Sequence, residues 1–235
     1  MDYEDYKAGK SESSFWFKGK RNLIFTILKK NLIKKNLKIL SIGAGTGDEL
    51  KILNKFGDVY VVDINKKALD LIPKNLYSVK KICNAIELPF EDKTFDLVVS
   101  FDVFEHIKED YLATKEAYRV LKKDGILFFS VPAFQFLYSS HDRALGHNRR
   151  YSKKQLKSLL KSFKKIKLFY WNFFLFLPIS FIRLIKKNSK PKVDDDRLNL
   201  FLDSLFFKLL KLENFFIFYE LCPPFGISIF GVCKK

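Results

Sequence analysis

Apolar positions along this chain of 235 residues cluster into short runs separated by stretches with helical spacing. Leu37–Ile42, 59–63, 77–83, Phe95–Phe101 and 126–131 are compact apolar runs bounded by polar or glycine-bearing segments, and they read as buried strands. Between them, 46–56, 65–72 and 110–121 repeat apolar residues every three or four positions, as helices lying on a sheet do. Asn65 stands where a helix cap belongs, and Pro73 closes that segment. Ser152 caps a lysine-rich helix running to 162, and 163–171 and 226–234 read as sixth and seventh strands. An amphipathic helix over 15–35 precedes all of these, with Phe15, Trp16 and Phe17 at its start. Strands alternating with helices predict one α/β domain, a largely parallel sheet covered on both faces.

The glycine pattern adds a ligand to this scheme. The first strand runs into Gly43-Ala44-Gly45-Thr46-Gly47-Asp48-Glu49, a helical pattern follows, and the next strand ends on Asp63. Glycines let a backbone approach a nucleoside closely, and an acid about 20 residues on accepts from two ribose hydroxyls. A dinucleotide fingerprint would put its third glycine at Asp48. Asp48 and Glu49 instead set two carboxylates near the helix start, where they repel a pyrophosphate. A nucleoside ligand without phosphates fits better.

Further motifs follow in order: Glu87-Leu88-Pro89-Phe90-Glu91-Asp92-Lys93-Thr94-Phe95-Asp96-Leu97, then Phe101-Asp102-Val103-Phe104-Glu105-His106, then Tyr118-Arg119-Val120-Leu121-Lys122-Lys123-Asp124-Gly125. With the glycine loop they resemble the class I S-adenosylmethionine-dependent methyltransferases of type 11, over Leu37 to about Pro132. The resemblance implies a Rossmann-like seven-stranded sheet of order 3-2-1-4-5-7-6, with strand seven antiparallel and helices on both faces. It implies S-adenosylmethionine as cofactor, held by Gly43, Ala44, Gly45, Gly47, Asp63, Ile64, Asn84, Ala85, Ser100, Phe101 and Asp102. Two positions depart from the family. Ser41 replaces the frequent acid two residues before the first glycine, and Asn84 replaces the acid that reaches the adenine amine. An asparagine carbonyl still accepts from that amine, without charge assistance.

The scheme gives a single domain over 1–235: a helical cap at 1–36, a core of 37–172 and 224–235, and an apolar helical insertion at 173–223. An insertion of about fifty residues between the last two strands has a function of its own more often than a plain connector. Its first apolar stretch, 169–182, is interrupted by Asn172, Pro178 and Ser180 and falls short of the roughly 20 apolar residues a span needs. A helix lying in a membrane interface fits, and so does a lid packed on the domain.

Charge changes the partner question more than the fold. The net charge is +17, but only seven of the 43 basic residues are arginine, and lysines such as Lys29, Lys30, Lys34 and Lys35 sit on polar helix faces. The surplus favours anionic surfaces, a membrane leaflet as well as RNA. Cys83, Cys222 and Cys233 lack metal-ligand or paired spacing, which suits a reducing cytosol, and the acidic start 1–6 predicts no secretory leader. A cytoplasmic protein, peripheral at the inner membrane face, is the expectation.

The segment His141-Asp142-Arg143-Ala144-Leu145-Gly146-His147-Asn148-Arg149-Arg150-Tyr151-Ser152 follows the fifth strand, at the sheet edge where ligands bind in open α/β folds. It resembles a segment of a type 11 subset encoded beside envelope glycosyltransferases. Methyl transfer to a hydroxyl needs alignment and a base. His141 is the candidate base with Asp142 orienting it, and His106 is the competitor. Arg143, His147, Arg149, Arg150 and Tyr151 are candidates to grip the acceptor, joined by Trp16, Phe17 and Arg21 from the first helix. His141 with His147 suggests a metal, but no further ligand cluster supports one, so no metal site is assigned. The resulting expectation is methyl transfer to a small or amphiphilic acceptor, a lipid-linked or envelope-glycan precursor. An RNA methyltransferase and a non-catalytic, membrane-associated S-adenosylmethionine-binding module are the alternatives. Ser100-Phe101-Asp102-Val103 lacks the signature of many base-amine methylases, and Ser41 with Asn84 would favour the non-catalytic reading.

Overall fold

A computed structural model describes residues 14–32, 36–192 and 198–235. The acidic start, Lys34, Lys35 and the polar stretch 193–197 lie outside these residues. The elements run α1 (Phe15–Asn31), β1 (Leu37–Ile42), α2 (Leu50–Leu53), β2 (Gly57–Asp63), α3 (Lys66–Asp70), β3 (Val79–Ile82), β4 (Phe95–Phe101), α4 (Asp110–Val120) and β5 (Leu121–Pro132). They continue with α5 (Ser140–Ala144), α6 (Lys153–Leu159), β6 (Lys165–Trp171), α7 (Phe176–Ile185), α8 (Leu200–Phe218) and β7 (Ser228–Lys234).

The seven strands form one sheet in the order β3-β2-β1-β4-β5-β7-β6. β1 to β5 pair in parallel, and β7 runs antiparallel between β5 and β6. The expected topology therefore holds. The chain winds outward from β1 to β3 and returns through β4, so strand order reverses between β1 and β4. Ligands bind at such a switch point, beyond the carboxyl ends of the strands.

Period-two alternation splits each strand between two cores. Ile39, Val59, Val61, Leu97, Val99, Phe128 and Phe230 face α1 and α8, whose Leu23, Ile24, Ile27, Leu210 and Ile217 are buried against them. Leu40, Val62, Val98, Leu127, Phe129 and Ile229 face α4 and α6, through Ala113, Ala117, Val120 and Leu156.

Two elements differ from the sequence expectation. The helix expected over 46–56 shrinks to Leu50–Leu53, because Gly45 and Gly47 hold left-handed φ of +52° and +82° and keep the loop open. The fifth strand begins at Leu121, through a register shift between Phe95 and Leu97 that lets the residues around Gly125 join the sheet.

The insertion is part of the core on one side. On α8, Leu210 packs so closely on α1 that a Cβ at Gly19 would meet its Cδ1 at 2.6 Å. Asn214 links three elements: its Nδ2 donates to Gly19 O at 3.0 Å, and its Oδ1 accepts from Trp171 Nε1 at 2.9 Å. α7 turns its polar residues inward, with Ser180 and Arg183 buried while Leu177, Phe181, Ile182, Leu184 and Ile185 are exposed. Among the described residues no helix is long and apolar enough to cross a membrane.

Candidate active site

The carboxyl ends of β1, β2 and β4, with the start of α1, enclose a cavity of about 690 Å³. Ligand pockets fall in the range of about 300–1,000 Å³. The first wall is the glycine loop. Gly43 holds φ +67°, and a Cβ there would lie 2.4 Å from Val103 Cγ2, so only glycine lets the loop meet the turn after β4. Gly45 has nothing within 4 Å of where a Cβ would be. Its N–H donates to Asp63 Oδ2 at 2.8 Å, and the N–H of Asn65 donates to Asp63 Oδ1 at 2.8 Å. Both carboxylate oxygens are thus fixed at the end of β2, with lone pairs to spare for hydroxyls.

Ala44, Ile64, Asn84, Ala85, Phe101 and Asp102 line the same cavity with Gly43, Gly45 and Asp63. Gly47 and Ser100 are absent from its lining: Gly47 sits in the turn before α2, and Ser100 is buried in β4. Ile64 is 74% exposed, a bare apolar surface beside Asp63 that suits a purine face. The carbonyl oxygen of Asn84 accepts from the N–H of Ile86 at 3.2 Å and keeps a second lone pair.

The opposite wall is charged, and sequence reasoning missed its central residue. Lys20 reaches from α1 to Asp102 Oδ2 at 2.6 Å, while Ser130 Oγ donates to Asp102 Oδ1 at 2.8 Å. Burial opposes ionisation of both partners; their mutual attraction outweighs it, holding Asp102 below and Lys20 above the ordinary value. Ser41 Oγ donates to Glu49 Oε1 at 3.1 Å, so Glu49 supplies through space a carboxylate where the first strand lacks one. Burial pushes Glu49 up to about 7, with Asp48 adding to the rise and Lys20 opposing it. Arg21 pairs with Asp48 at 2.8 Å. The spacing that would have flagged Lys20 is its place one helical turn after Phe17 and one before Ile24, on the face of α1 that lines the cavity, visible only once α1 is known to cross this edge. A cavity lined by Asp48, Glu49, Asp63 and Asp102 against Lys20 and Arg21 carries acid in excess. That balance fits a sulfonium with a zwitterionic tail and disfavours a pyrophosphate.

Of the expected acceptor contacts, Phe17 and Arg21 line the cavity and Trp16 does not. Trp16 packs edge-on against Trp171, ring centroids 5.0 Å apart, as part of the core. The segment after β5 is a buried clamp. The carboxylate of Asp142 accepts from Ser139 N at 2.9 Å and Arg150 Nε at 2.8 Å, lies 2.9 Å from His147 Nδ1, and pairs with Arg183 of α7 at 3.3 Å. Asp142 therefore orients His147, where the sequence had it orienting His141. Arg150 is 2% exposed and also donates to Ala133 O, Arg149 pairs with Asp110, and the single O–H of Tyr151 lies 2.8 Å from Asp110 Oδ2 and 3.0 Å from Phe104 O. Arg143 reaches Ser189 O. These side chains knit loops together, which leaves Arg150 and Tyr151 no free edge for an acceptor. His141 lies in α5, outside the cavity lining, whereas His106 is in it. His106 is pushed down from its ordinary pKa by burial and by His147, whose ring stacks edge-on at 4.7 Å. The pairing of His141 with His147 is thus replaced by one of His106 with His147.

Together these features define a nucleoside-cofactor domain of the class I methyltransferase kind. Residues 40–129 match the family model described as a methyltransferase domain, and the fold around them is that of S-adenosylmethionine-dependent methyltransferases. It is similar to an uncharacterized protein of Methanocaldococcus jannaschii, 35% identical over 47% of this chain and 45% of that one. It is 36% identical to the ubiquinone/menaquinone biosynthesis C-methyltransferase UbiE of Haemophilus ducreyi, over 43% of this chain and 45% of the relative. The chain thus spans somewhat under half the length of the curated relatives it matches. Among solved structures, phosphoethanolamine N-methyltransferase 2 of Haemonchus contortus, in complex with S-adenosyl-L-methionine, shares the fold. Its TM-score is 0.61 at 19% identity, covering 92% of this chain and 52% of that one.

Proposed function

We propose that this chain transfers the methyl group of S-adenosylmethionine to a small, amphiphilic acceptor at the carboxyl edge of the sheet. The observation that carries this reading is the cradle formed by Gly43, Gly45 and Asp63 inside a segment that matches the methyltransferase domain. The cofactor supplies an electrophilic methyl on a sulfonium, displaced in line. Asp63 holds the ribose, Ile64 takes the purine face, and Lys20 with Glu49 and Asp102 meets the charged tail. Phe17 and Arg21 shape the side from which the acceptor arrives, and His106 presents an imidazole to it.

An amphiphilic acceptor, lipid-linked or an envelope-glycan precursor, is favoured by the insertion. The exposed apolar face of α7 ends in the exposed lysines Lys186, Lys187, Lys190 and Lys192, a combination that suits a peripheral position on an anionic leaflet. The quinone methyltransferase activity in the name of the Haemophilus relative is in keeping with such a substrate. Calorimetry with the full chain tests the core of the reading. S-adenosylmethionine should bind, and Asp63→Asn should weaken binding by roughly 10- to 100-fold, since hydrogen bonds to charged groups contribute about 1.5–3 kcal/mol. Binding that is absent at millimolar cofactor, or unaltered in Asp63→Asn, would sink it.

A further inference from the structure

Beside the cofactor cradle, three metal-ligating side chains converge where the turn after β4 meets the loop after α5. Glu105, His106 and His147 each bring one ligand atom within 4.8 Å of the others, and His147 Nε2 lies 3.9 Å from Glu105 Oε1. We propose that these residues bind a divalent first-row transition cation of the zinc type, with a coordination position open toward the cavity.

The first support is Glu105 itself. It is 0% exposed, and neither side-chain oxygen has a hydrogen-bond partner among the described residues. Buried carboxyl groups are normally satisfied, and an orphaned one calls for an explanation such as an ion. The second support is the outer shell of His147. Its Nδ1 faces Asp142 Oδ1 at 2.9 Å, and Asp142 is itself held by Arg150 and Arg183. That carboxylate fixes the proton on Nδ1 and turns the Nε2 lone pair toward Glu105, the arrangement that prepares an imidazole for a metal. His106 is exposed to the cavity and its ring packs edge-on against His147 at 4.7 Å, which places it beside the other two ligands and provides the route by which an ion enters.

Ligand chemistry narrows the ion. Two imidazoles and one carboxylate suit zinc or iron(II) and do not suit calcium or magnesium, which take oxygen cages. Bonds of about 2.0–2.2 Å at tetrahedral angles put two ligand atoms of one ion about 3.3–3.6 Å apart, so closure from separations of up to 4.8 Å requires the side chains to approach one another by about 1 Å. Three protein ligands leave a fourth position, and the exposure of His106 directs it to the cavity. For the methyl transfer proposed above, on which this use alone rests, an acceptor hydroxyl bound there would lose its proton more readily, and His106 would act as ligand in place of base.

Zinc binding is measured without cofactor or acceptor, so its failure is distinct from failure of the methyltransferase reading. The full chain is stripped with chelator and titrated with zinc chloride by calorimetry, then passed through gel filtration for metal analysis. One zinc per chain is expected, with a melting temperature that rises on loading and falls again with EDTA. Cobalt(II) should give visible bands of a low-symmetry nitrogen and oxygen site. His106→Gln, a change at the cavity surface that leaves the core intact, should weaken zinc binding roughly tenfold or more, as should His147→Gln. A chain that retains no zinc overturns the proposal. So does a folded His106→Gln, His147→Gln double variant that retains as much zinc as the parent.

Discussion

Replacing Asp142 with alanine tests whether the segment after β5 serves chemistry or architecture. The carboxylate is fully buried and is shared by two arginines, Arg150 at 2.8 Å and Arg183 at 3.3 Å, and by His147 at 2.9 Å. Its removal leaves Arg150, itself 2% exposed, without its counter-ion. Breaking a buried pair from one side costs about 3–5 kcal/mol, which at about 1.4 kcal/mol per tenfold lowers the folding constant by two to three and a half orders of magnitude. Urea unfolding followed by tryptophan fluorescence reads this directly, because Trp171 is fully buried in β6. Asp142→Asn should fall between the two, keeping acceptor and donor but losing the charge. A pH series adds a second check. Burial works against ionisation of Asp142, but His147, Arg150 and Arg183 outweigh it and hold the folded pKa well below the ordinary value. A depressed folded pKa contributes stability above the unfolded value of about 3.9 and loses it as pH falls toward the folded one. The gap between parent and Asp142→Ala should therefore narrow in acid. A destabilisation below about 1 kcal/mol, constant with pH, would refute the clamp.

Glu213 behaves with the opposite sign. Burial pushes it up to about 7, against the opposing N–H groups of Phe173 and its neighbours, so its contribution is present below about 4.5 and is lost as pH rises through 7. Glu213→Gln should flatten the decline between pH 4.5 and 7 and gain on the order of 3 kcal/mol over the parent at higher pH; parallel stability curves would contradict this. Gly43→Ala combines a left-handed φ of +67° with a 2.4 Å contact to Val103. It should lower cofactor affinity at least tenfold while costing about 1–2 kcal/mol for the backbone alone, and unchanged calorimetry would remove the loop from the site. Liposome flotation checks the insertion: the full chain should rise with anionic vesicles, and a Leu177→Ser, Phe181→Ser, Ile185→Ser variant should stay behind. A parent chain left in the dense fraction refutes the membrane contact.

Legibility followed the range of the interactions. β1 and β4 carry their limits in the sequence because a buried strand is a local apolar run ended by a local turn signal. Asn65 and Ser152 cap helices where their side chains accept from Ala68 and Gln155 N–H groups, which is equally local. That Gly43, Gly45 and Asp63 line one cavity was legible for the same reason, since they belong to one βαβ unit. The helix at 46–56 was overestimated because helical spacing registers side chains and not the positive φ of Gly47. The partners of Asp142, Arg149 and Arg150 within 139–152 were not legible because density of histidine and arginine in sequence does not say which way the side chains turn.

The sequence by itself determined the α/β class, the strand order through a familial resemblance, and the glycine turn that borders the cavity. It did so because backbone conformation and hydrophobic alternation are set within a few residues. Only the tertiary structure decided the partners of the charged groups. Lys20 meets Asp102 from 82 positions away, Glu49 takes its place beside Ser41, Asp142 ties Arg150 to Arg183, and His147 joins Glu105 and His106 across 41 residues or more. Electrostatic pairing depends on distance in space and on the exclusion of water, and both are fixed only when α1, the loop after β5 and the insertion have packed against the sheet.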